Sequence, residues 1–136
     1  AEQYASMEAW VEFMRAHGEN ELLFGEGFHF GDWLALDTGI DGSVFGATDV
    51  MLIGTAFYAY STDLLGKIAA LLGKDDDAAQ YRARHERIVA AFQHEFLTPA
   101  GRLASNTQTA YVLALMFDML PAASRTARLI SSQFGG

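Results

Sequence analysis

The stretch from Val50 to Tyr60 is apolar on every side of the helix that it predicts. Thr48 is a suitable N-cap for this helix, with Asp49 in its first turn, and Gly73 stands where a glycine commonly ends a helix. A helix without a polar face needs protein around its whole circumference. We therefore expect the helix over 48–73 to be an inner helix of a larger structure.

The remaining segments with helical spacing alternate with such inner helices. Segments 3–17 and 76–97 each carry one apolar and one charged side, and the apolar side of the first is formed by Tyr4, Met7, Trp10, Val11 and Met14. Segment 107–120 is nearly all apolar, and segment 123–134, after Pro121, is amphipathic again. The sequence predicts an all-α chain in the order outer, inner, outer, inner, outer.

This order is typical of a double ring of helices, in which neighbours surround each inner helix and each outer helix has one wet side. A simple four-helix bundle is the alternative, but each of its helices would carry a polar face. The apolar circumference of Val50 to Tyr60 weighs against the bundle.

Length and charge limit the classes of partner. The chain has 136 residues, 51% of them hydrophobic, which suits one folded unit. Seventeen acidic residues against nine basic ones argue against nucleic acid and against an anionic membrane surface as partners. The start has neither an initiator Met nor a signal-peptide pattern, which suggests a piece of a longer protein, and the absence of cysteine leaves its compartment undecided.

A long loop rich in glycine and aromatic residues separates the first two helices, from Gly25 to Ala47. Loops of this length in compact domains are usually functional or disordered, and the aromatic content argues against disorder. A helix that served only for dimerisation would have no need of this loop. The loop therefore favours a binding pocket.

Two polar motifs lie where inner helices begin, Gly31–Leu34 and Asn106–Tyr111. Asp32 can accept hydrogen bonds from hydroxyl groups, and Trp33 offers a flat apolar surface, a combination that suits a sugar ring. The alternative is that Trp33 belongs to the core and that Asp32 caps the loop.

In the second motif Asn106 and Thr107 are the right residue types to cap the fourth helix. Gln108 and Tyr111 are polar side chains on an otherwise apolar helix, so each needs a buried partner. A substrate is one candidate partner. We take Gln108 and Tyr111, with Asp32 and Trp33, as the candidate binding residues.

Patterns for metals, nucleotides and nucleophilic catalysis are weak or absent in the sequence. Asp37–Gly42 begins like a calcium loop, but Gly39 replaces a ligand and Thr48 stands where the closing glutamate belongs, so a turn is favoured. The histidines lack zinc spacing, there is no cysteine, and neither Gly-x-Ser-x-Gly nor Gly-x-Gly-x-x-Gly occurs. We expect no metal and no cofactor.

Several ordered pieces of the chain resemble the catalytic domain of bacterial α-L-rhamnosidases. They are Phe30–Ala35, Asp49–Leu65 with its Thr-Ala-Phe-Tyr-Ala-Tyr-Ser core, Leu72–Lys74, Asp77-Ala78 with Tyr81, Ala91-Phe92 with Phe96, and Thr107–Leu115. The resemblance covers most of the chain. It implies an (α/α)6 toroid, in agreement with the alternation of helices.

The resemblance also implies hydrolysis of terminal α-L-rhamnosides with inversion, by one carboxylic acid and one carboxylate. The family's acid and base motifs lie outside the matched pieces, and this chain contains neither, so no catalytic residue carries over. Trp33 matches the family's aromatic wall of the sugar pocket, with Asp32 beside it. Gln108 and Tyr111 match a family motif, but their role as ligands is inferred from their position.

We therefore expect residues 1–136 to be a fragment of one helical glycosidase catalytic domain, which binds a rhamnose-containing carbohydrate but is inactive alone. Another (α/α)6 sugar enzyme, a glycosidase or an epimerase, is the alternative within enzymes. A helical self-association module is the alternative outside them. A fragment of a toroid leaves the flanks of its inner helices uncovered, so we also expect self-association through exposed apolar surface.

Overall fold

The computed structural model describes residues 2–27, 29–33 and 46–122, and in these ranges it contains four α-helices and no β-strand. The helices are α1 (Glu2–Ala16), α2 (Val50–Leu71), α3 (Asp75–Phe96) and α4 (Gln108–Met116). The predicted alternation of amphipathic and apolar helices is confirmed for these four. The fifth predicted helix, 123–134, lies outside the described residues.

Helix α2 lies at the centre and packs against α1, α3 and α4. Its buried side chains run along most of its length, and Tyr58, Leu52 and Leu65 are among the most deeply buried in the chain. α3 contributes Ile88 and Phe92 to the same core. Since α2 supplies one side of the most extensive helix contacts, the placement of the other helices depends mainly on it.

The start of α2 differs by one residue from the sequence prediction. Asp49, not Thr48, is the N-cap: its side chain accepts a hydrogen bond from the backbone N–H of Leu52 at 2.8 Å. Both residue types cap helices well, so sequence alone does not separate them. Thr48 is instead buried and bonds other loops. At the other end Gly73 has a φ of +70°, as predicted for a helix-ending glycine.

The chain after α1 lies directly on α2 at Gly54. A Cβ atom placed on Gly54 would stand 2.2 Å from the carbonyl oxygen of Phe24, so only glycine allows this approach. Next to it, the buried hydroxyl of Thr55 accepts a hydrogen bond from the Phe24 N–H at 3.0 Å. These contacts fix the entry of the glycine-rich loop onto the central helix.

Polar side chains join α1 to α3. Tyr4 donates to Asp77 at 2.9 Å, and Tyr81 donates to Glu8 at 3.1 Å. Burial, followed by the hydrogen bond to Asp77, raises the pKa of Tyr4 to about 12. Both tyrosines therefore stay protonated and can donate these hydrogen bonds. The bonds attach α1 to α3, although α1 is not part of the hairpin that α2 and α3 form.

One side chain on α1 departs from the predicted apolar face. Trp10 is 52% exposed and stacks on Phe13 with 5.7 Å between ring centroids, whereas Tyr4, Val11 and Met14 are buried. The prediction placed Trp10 inward and is wrong. Helical spacing predicts which side of α1 faces the core but not how far that side extends. Trp10 lies at its edge, beside solvent.

Helix α4 is shorter than the predicted 107–120 because it ends at Met116. Asp118 has a φ of +60°, which turns the chain out of the helix, and the Met119 N–H then bonds back to the Ala114 carbonyl at 2.8 Å. This turn buries Met119 and Leu120 against the core. The sequence pattern continued through the turn because Phe117, Met119 and Leu120, on either side of Asp118, are as apolar as the helix.

Helix α2 is not covered all round by the described residues, in line with the expectation that a fragment of a toroid leaves the flanks of its inner helices uncovered. Phe57, Tyr60 and Leu64 recur on one flank and are 37–47% exposed. Phe117 stacks on Tyr60 at 4.4 Å and covers part of this flank. Val112 and Met116 on α4 are also exposed. We call the side chains of α2 and of the α4 end together the apolar flank: Phe57, Tyr60, Leu64, Val112, Met116 and Phe117.

Within the described ranges, no helix combines the length and apolar character needed to cross a bilayer.

Candidate functional site

The N-termini of α2 and α4 lie side by side, which brings the two polar sequence motifs together. The Asp49 N–H donates to the Ser105 hydroxyl at 3.0 Å, and the Thr48 and Thr107 hydroxyls are 2.7 Å apart. Thr107 is also the N-cap of α4, because its hydroxyl accepts from the Ala110 N–H. The capping role considered for Thr107 is thus confirmed.

Asp32 fastens the glycine-rich loop to both helix starts. One carboxylate oxygen accepts from the Thr48 hydroxyl at 2.5 Å, and the other accepts from the Thr109 hydroxyl at 3.2 Å. The Asp32 carbonyl accepts from the Gly46 N–H at 2.7 Å, which joins the two described ends of the loop. We call Asp32, Thr48, Thr107 and Thr109 the threonine clamp.

The hydroxyl hydrogens of the clamp have a defined order. Thr48 has one hydroxyl hydrogen, and a carboxylate is the strongest acceptor within its reach. Thr107 must then donate to Thr48, while its own oxygen accepts from the Ala110 N–H. The series runs from the α4 backbone to the Asp32 carboxylate, and each bond polarises the next.

Trp33 lies beside the clamp with an exposed face. Trp33 is 43% exposed and Phe30 is 57% exposed, and their rings meet edge to face with centroids 4.7 Å apart. Val50, at the start of α2, is also exposed and lies near Gly31. Phe30 and Trp33 form what we call the aromatic platform. It is an exposed apolar surface that adjoins the clamp residue Asp32 in the sequence.

The other two candidate residues take different positions. Gln108 is exposed at the start of α4, so the expectation that it needs a buried partner is wrong; the first turn of a helix faces solvent here. The Tyr111 hydroxyl accepts from the Leu103 N–H at 3.3 Å and donates to the Asn106 side chain at 3.2 Å. Tyr111 thus holds the loop that precedes α4.

Three residues of the site were not identified from the sequence as binding candidates: His29, Phe30 and Thr48. His29 accepts a hydrogen bond from the Gly31 N–H through Nδ1 at 3.3 Å. The sequence did contain an indication for Thr48: Thr48 and Asp49 are both capping residue types, and a helix start needs only one of them as its N-cap. Phe30 and His29 flank the Gly-Asp-Trp motif and carried no separate signal.

In the described ranges, no three histidine or acidic side chains lie close enough together to hold a metal ion. The calcium-like stretch Asp37–Gly42, the aromatic residue Phe45 and Leu34 lie outside those ranges. His85, on the outer helix α3, bonds the Ala59 carbonyl of α2 through Nδ1 at 3.0 Å. That histidine is a packing residue between two helices.

Nearly the whole chain matches a family of known proteins. The model of the bacterial alpha-L-rhamnosidase 6 hairpin glycosidase domain matches residues 1–133. The alpha-L-rhamnosidase of Alteromonas sp. (strain LOR) is 36% identical over 124 residues, and that of Streptomyces avermitilis is 35% identical over 127 residues. The matches cover 88% and 93% of this chain but 13% and 11% of those relatives.

Solved structures agree with the sequence match. The S. avermitilis α-L-rhamnosidase complexed with L-rhamnose superposes with a TM-score of 0.75 at 32% identity, over 96% of this chain and 12% of that one. The native enzyme from Aspergillus terreus superposes with a TM-score of 0.81 at 30% identity, over 97% and 16% of the two chains. With its alternating helices, the chain is part of an (α/α)6 toroid and belongs to the bacterial α-L-rhamnosidase 6-hairpin glycosidase family.

Proposed function

We propose that this chain is part of a glycoside hydrolase that acts on terminal α-L-rhamnosides, and that it supplies part of the sugar pocket. The observation that carries the proposal is the aromatic platform beside the threonine clamp, where Trp33 exposes its ring next to the carboxylate of Asp32. The family match over residues 1–133 supports the choice of substrate class.

The platform suits rhamnose for a chemical reason. Rhamnose is a 6-deoxy sugar, so a methyl group stands where most hexoses carry a hydroxymethyl group. Trp33 and Phe30 meet edge to face and present two apolar surfaces at an angle, which fits a ring face together with a methyl group. Gln108 is exposed and lies between the clamp residues Thr107 and Thr109 in the sequence. Gln108 and Tyr111 remain our proposed polar contacts to the sugar.

We expect Trp33→Ala to reduce L-rhamnose binding at least about tenfold, because the apolar face of the sugar loses its stacking surface. Saturation-transfer NMR on the purified chain measures this directly. Trp10→Ala is the matched control, since Trp10 is as exposed but lies on α1. Equal binding by the Trp33 variant and the unchanged chain would remove Trp33 from the pocket.

We also propose that the two catalytic carboxylates of the inverting reaction come from outside this chain. Such groups stand about 6.5–9.5 Å apart to admit a water molecule, and one must deliver a proton. Asp32 and Asp49 are the carboxylates of the described site. Asp32 accepts bonds through both oxygens, and Asp49 caps α2, so both are occupied with structure.

The purified chain is expected to release no nitrophenol from 4-nitrophenyl α-L-rhamnoside above the buffer rate. A full-length α-L-rhamnosidase assayed in parallel shows that the substrate is competent. Hydrolysis by the chain that Asp32→Asn abolishes would overturn the proposal and make Asp32 a catalytic residue.

Finally, we propose that the isolated chain self-associates through the apolar flank of α2 and α4. Contiguous apolar surface of this kind is uncommon on monomers and tends to become buried. Phe57 and Leu64 lie on one side of α2 and are 47% and 37% exposed. A second copy would remove these side chains from water.

Sedimentation velocity at tens of micromolar should show dimers or larger species, and Phe57→Glu with Leu64→Glu should shift the chain to monomer by raising the dissociation constant at least about tenfold. Trp10→Glu is the control, because it introduces a charge at an exposed aromatic residue on α1. A monodisperse monomer for the unchanged chain would refute this proposal.

A further inference from the structure

His29 directly precedes the aromatic platform in the sequence, and among the described residues its imidazole is hydrogen-bonded at one of its two nitrogens. Its Nδ1 accepts from the Gly31 N–H at 3.3 Å. Its Nε2 is buried, and it has no hydrogen-bond partner among the described residues. Since Nδ1 accepts a hydrogen bond, it carries no proton, and the proton of the neutral ring is on Nε2.

This hydrogen bond closes a tight turn. Gly31 has a φ of +55°, a left-handed conformation, and lies between Phe30 and Asp32. The bond from residue 31 back to the side chain of residue 29 has the form of an Asx turn, with imidazole in place of a carboxylate or amide. It therefore fixes the direction in which the chain leaves Phe30.

The platform is thus held on both sides. Asp32 fixes it downstream through Thr48 and Thr109, and His29 fixes it upstream through Gly31. Among the described residues the buried Nε2–H has no acceptor, which disfavours the folded state, so packing alone is a poor reason for histidine at this position. The bond at Nδ1 is the contribution that the structure displays.

We infer that His29 is a positioning residue, which orients the Phe30–Trp33 platform for a sugar by accepting the Gly31 N–H through Nδ1. This inference deepens the proposed function and rests on it for the identity of the ligand. His29 itself makes no contact with the sugar in this view. It acts through the backbone of the turn.

Two substitutions separate the roles of the ring nitrogens. In His29→Asn the amide oxygen lies where Nδ1 lies and can accept the Gly31 N–H. In His29→Gln the amide lies nearer the position of Nε2 and misses that N–H. His29→Ala removes both. Circular dichroism of each variant verifies that the helices remain.

L-Rhamnose binding by saturation-transfer NMR should fall at least about fivefold in the Ala and Gln variants and stay within about twofold in the Asn variant. Unchanged binding by the Ala variant, or rescue by Gln and not by Asn, would overturn the inference.

A second measurement is independent of the sugar. In a Trp10→Phe background Trp33 is the remaining tryptophan, so its emission reports on the platform. The emission should shift to the red in the Ala and Gln variants and stay unchanged in the Asn variant. If the unchanged chain binds no rhamnose, the proposed function fails, while this series still tests His29; equal emission in all variants would refute the positioning role.

Discussion

Replacing Asp32 by alanine should lower the free energy of unfolding by about 2–3 kcal/mol, since two hydrogen bonds to a charged acceptor are lost and the buried Thr48 hydroxyl loses its carboxylate acceptor. The loss should be accompanied by a red shift of Trp33 emission, because the platform loses its downstream attachment. Urea unfolding followed by circular dichroism, with emission recorded in the Trp10→Phe background, measures both.

The free energy of unfolding of Asp32→Asn should lie between those of Asp32→Ala and the unchanged chain. Its amide keeps one acceptor oxygen, but its NH2 group faces a Thr48 hydroxyl that already accepts from Thr107. Asp63→Ala is the control: that carboxylate pairs with Lys67 on the surface of α2 and should cost at most about 0.5 kcal/mol. If Asp32→Ala unfolds at the same urea concentration as the unchanged chain, the clamp does not stabilise the fold.

The second large effect is expected at Gly54, where a methyl group would meet the Phe24 carbonyl oxygen at 2.2 Å. Neither partner can move easily, because one atom is backbone and the other belongs to the central helix. Overpacking of this kind costs about 1–3 kcal/mol or more, and the hydrogen bond from Phe24 to Thr55 would be strained as well. Gly54→Ala should therefore unfold at a clearly lower temperature.

Gly66 provides the matched control because it is a second glycine of α2. A methyl group there would lie 3.3 Å from the Tyr81 Cβ and 3.7 Å from the Ala78 carbonyl oxygen. The contact is tight but can be relieved, and alanine favours the helix by about 1 kcal/mol. Gly66→Ala should be near neutral; equal losses at both glycines would show that helix packing, not the Phe24 contact, sets the cost.

The order of helices could be predicted from the sequence because the pattern of apolar residues along each helix reflects which of its sides are buried. The apolar circumference of Val50 to Tyr60 predicted the central helix, and the separate charged and apolar sides of segment 76–97 predicted α3. Gly73 marked the end of α2 for a similarly local reason. Such signals depend on residues close together in the chain.

The geometry of the site could be predicted only in part, since it depends on contacts between distant residues. The two polar motifs were identified, but the sequence did not show that Asp32 would use both oxygens on threonines. It also named Thr48 and not Asp49 as the cap of α2, and it did not show that the Tyr111 hydroxyl bonds Asn106 and Leu103. These choices are decided by tertiary structure.

The sequence separations within the threonine clamp have a consequence for how the chain folds. Asp32 and Thr109 are 77 residues apart and Thr48 and Thr107 are 59 apart, whereas α2 and α3 form a hairpin of neighbours. Closing long loops costs more entropy than closing short ones, and contacts of this kind form late. We therefore expect the hairpin to form first, and the threonine clamp to be the last part to assemble and the first to open.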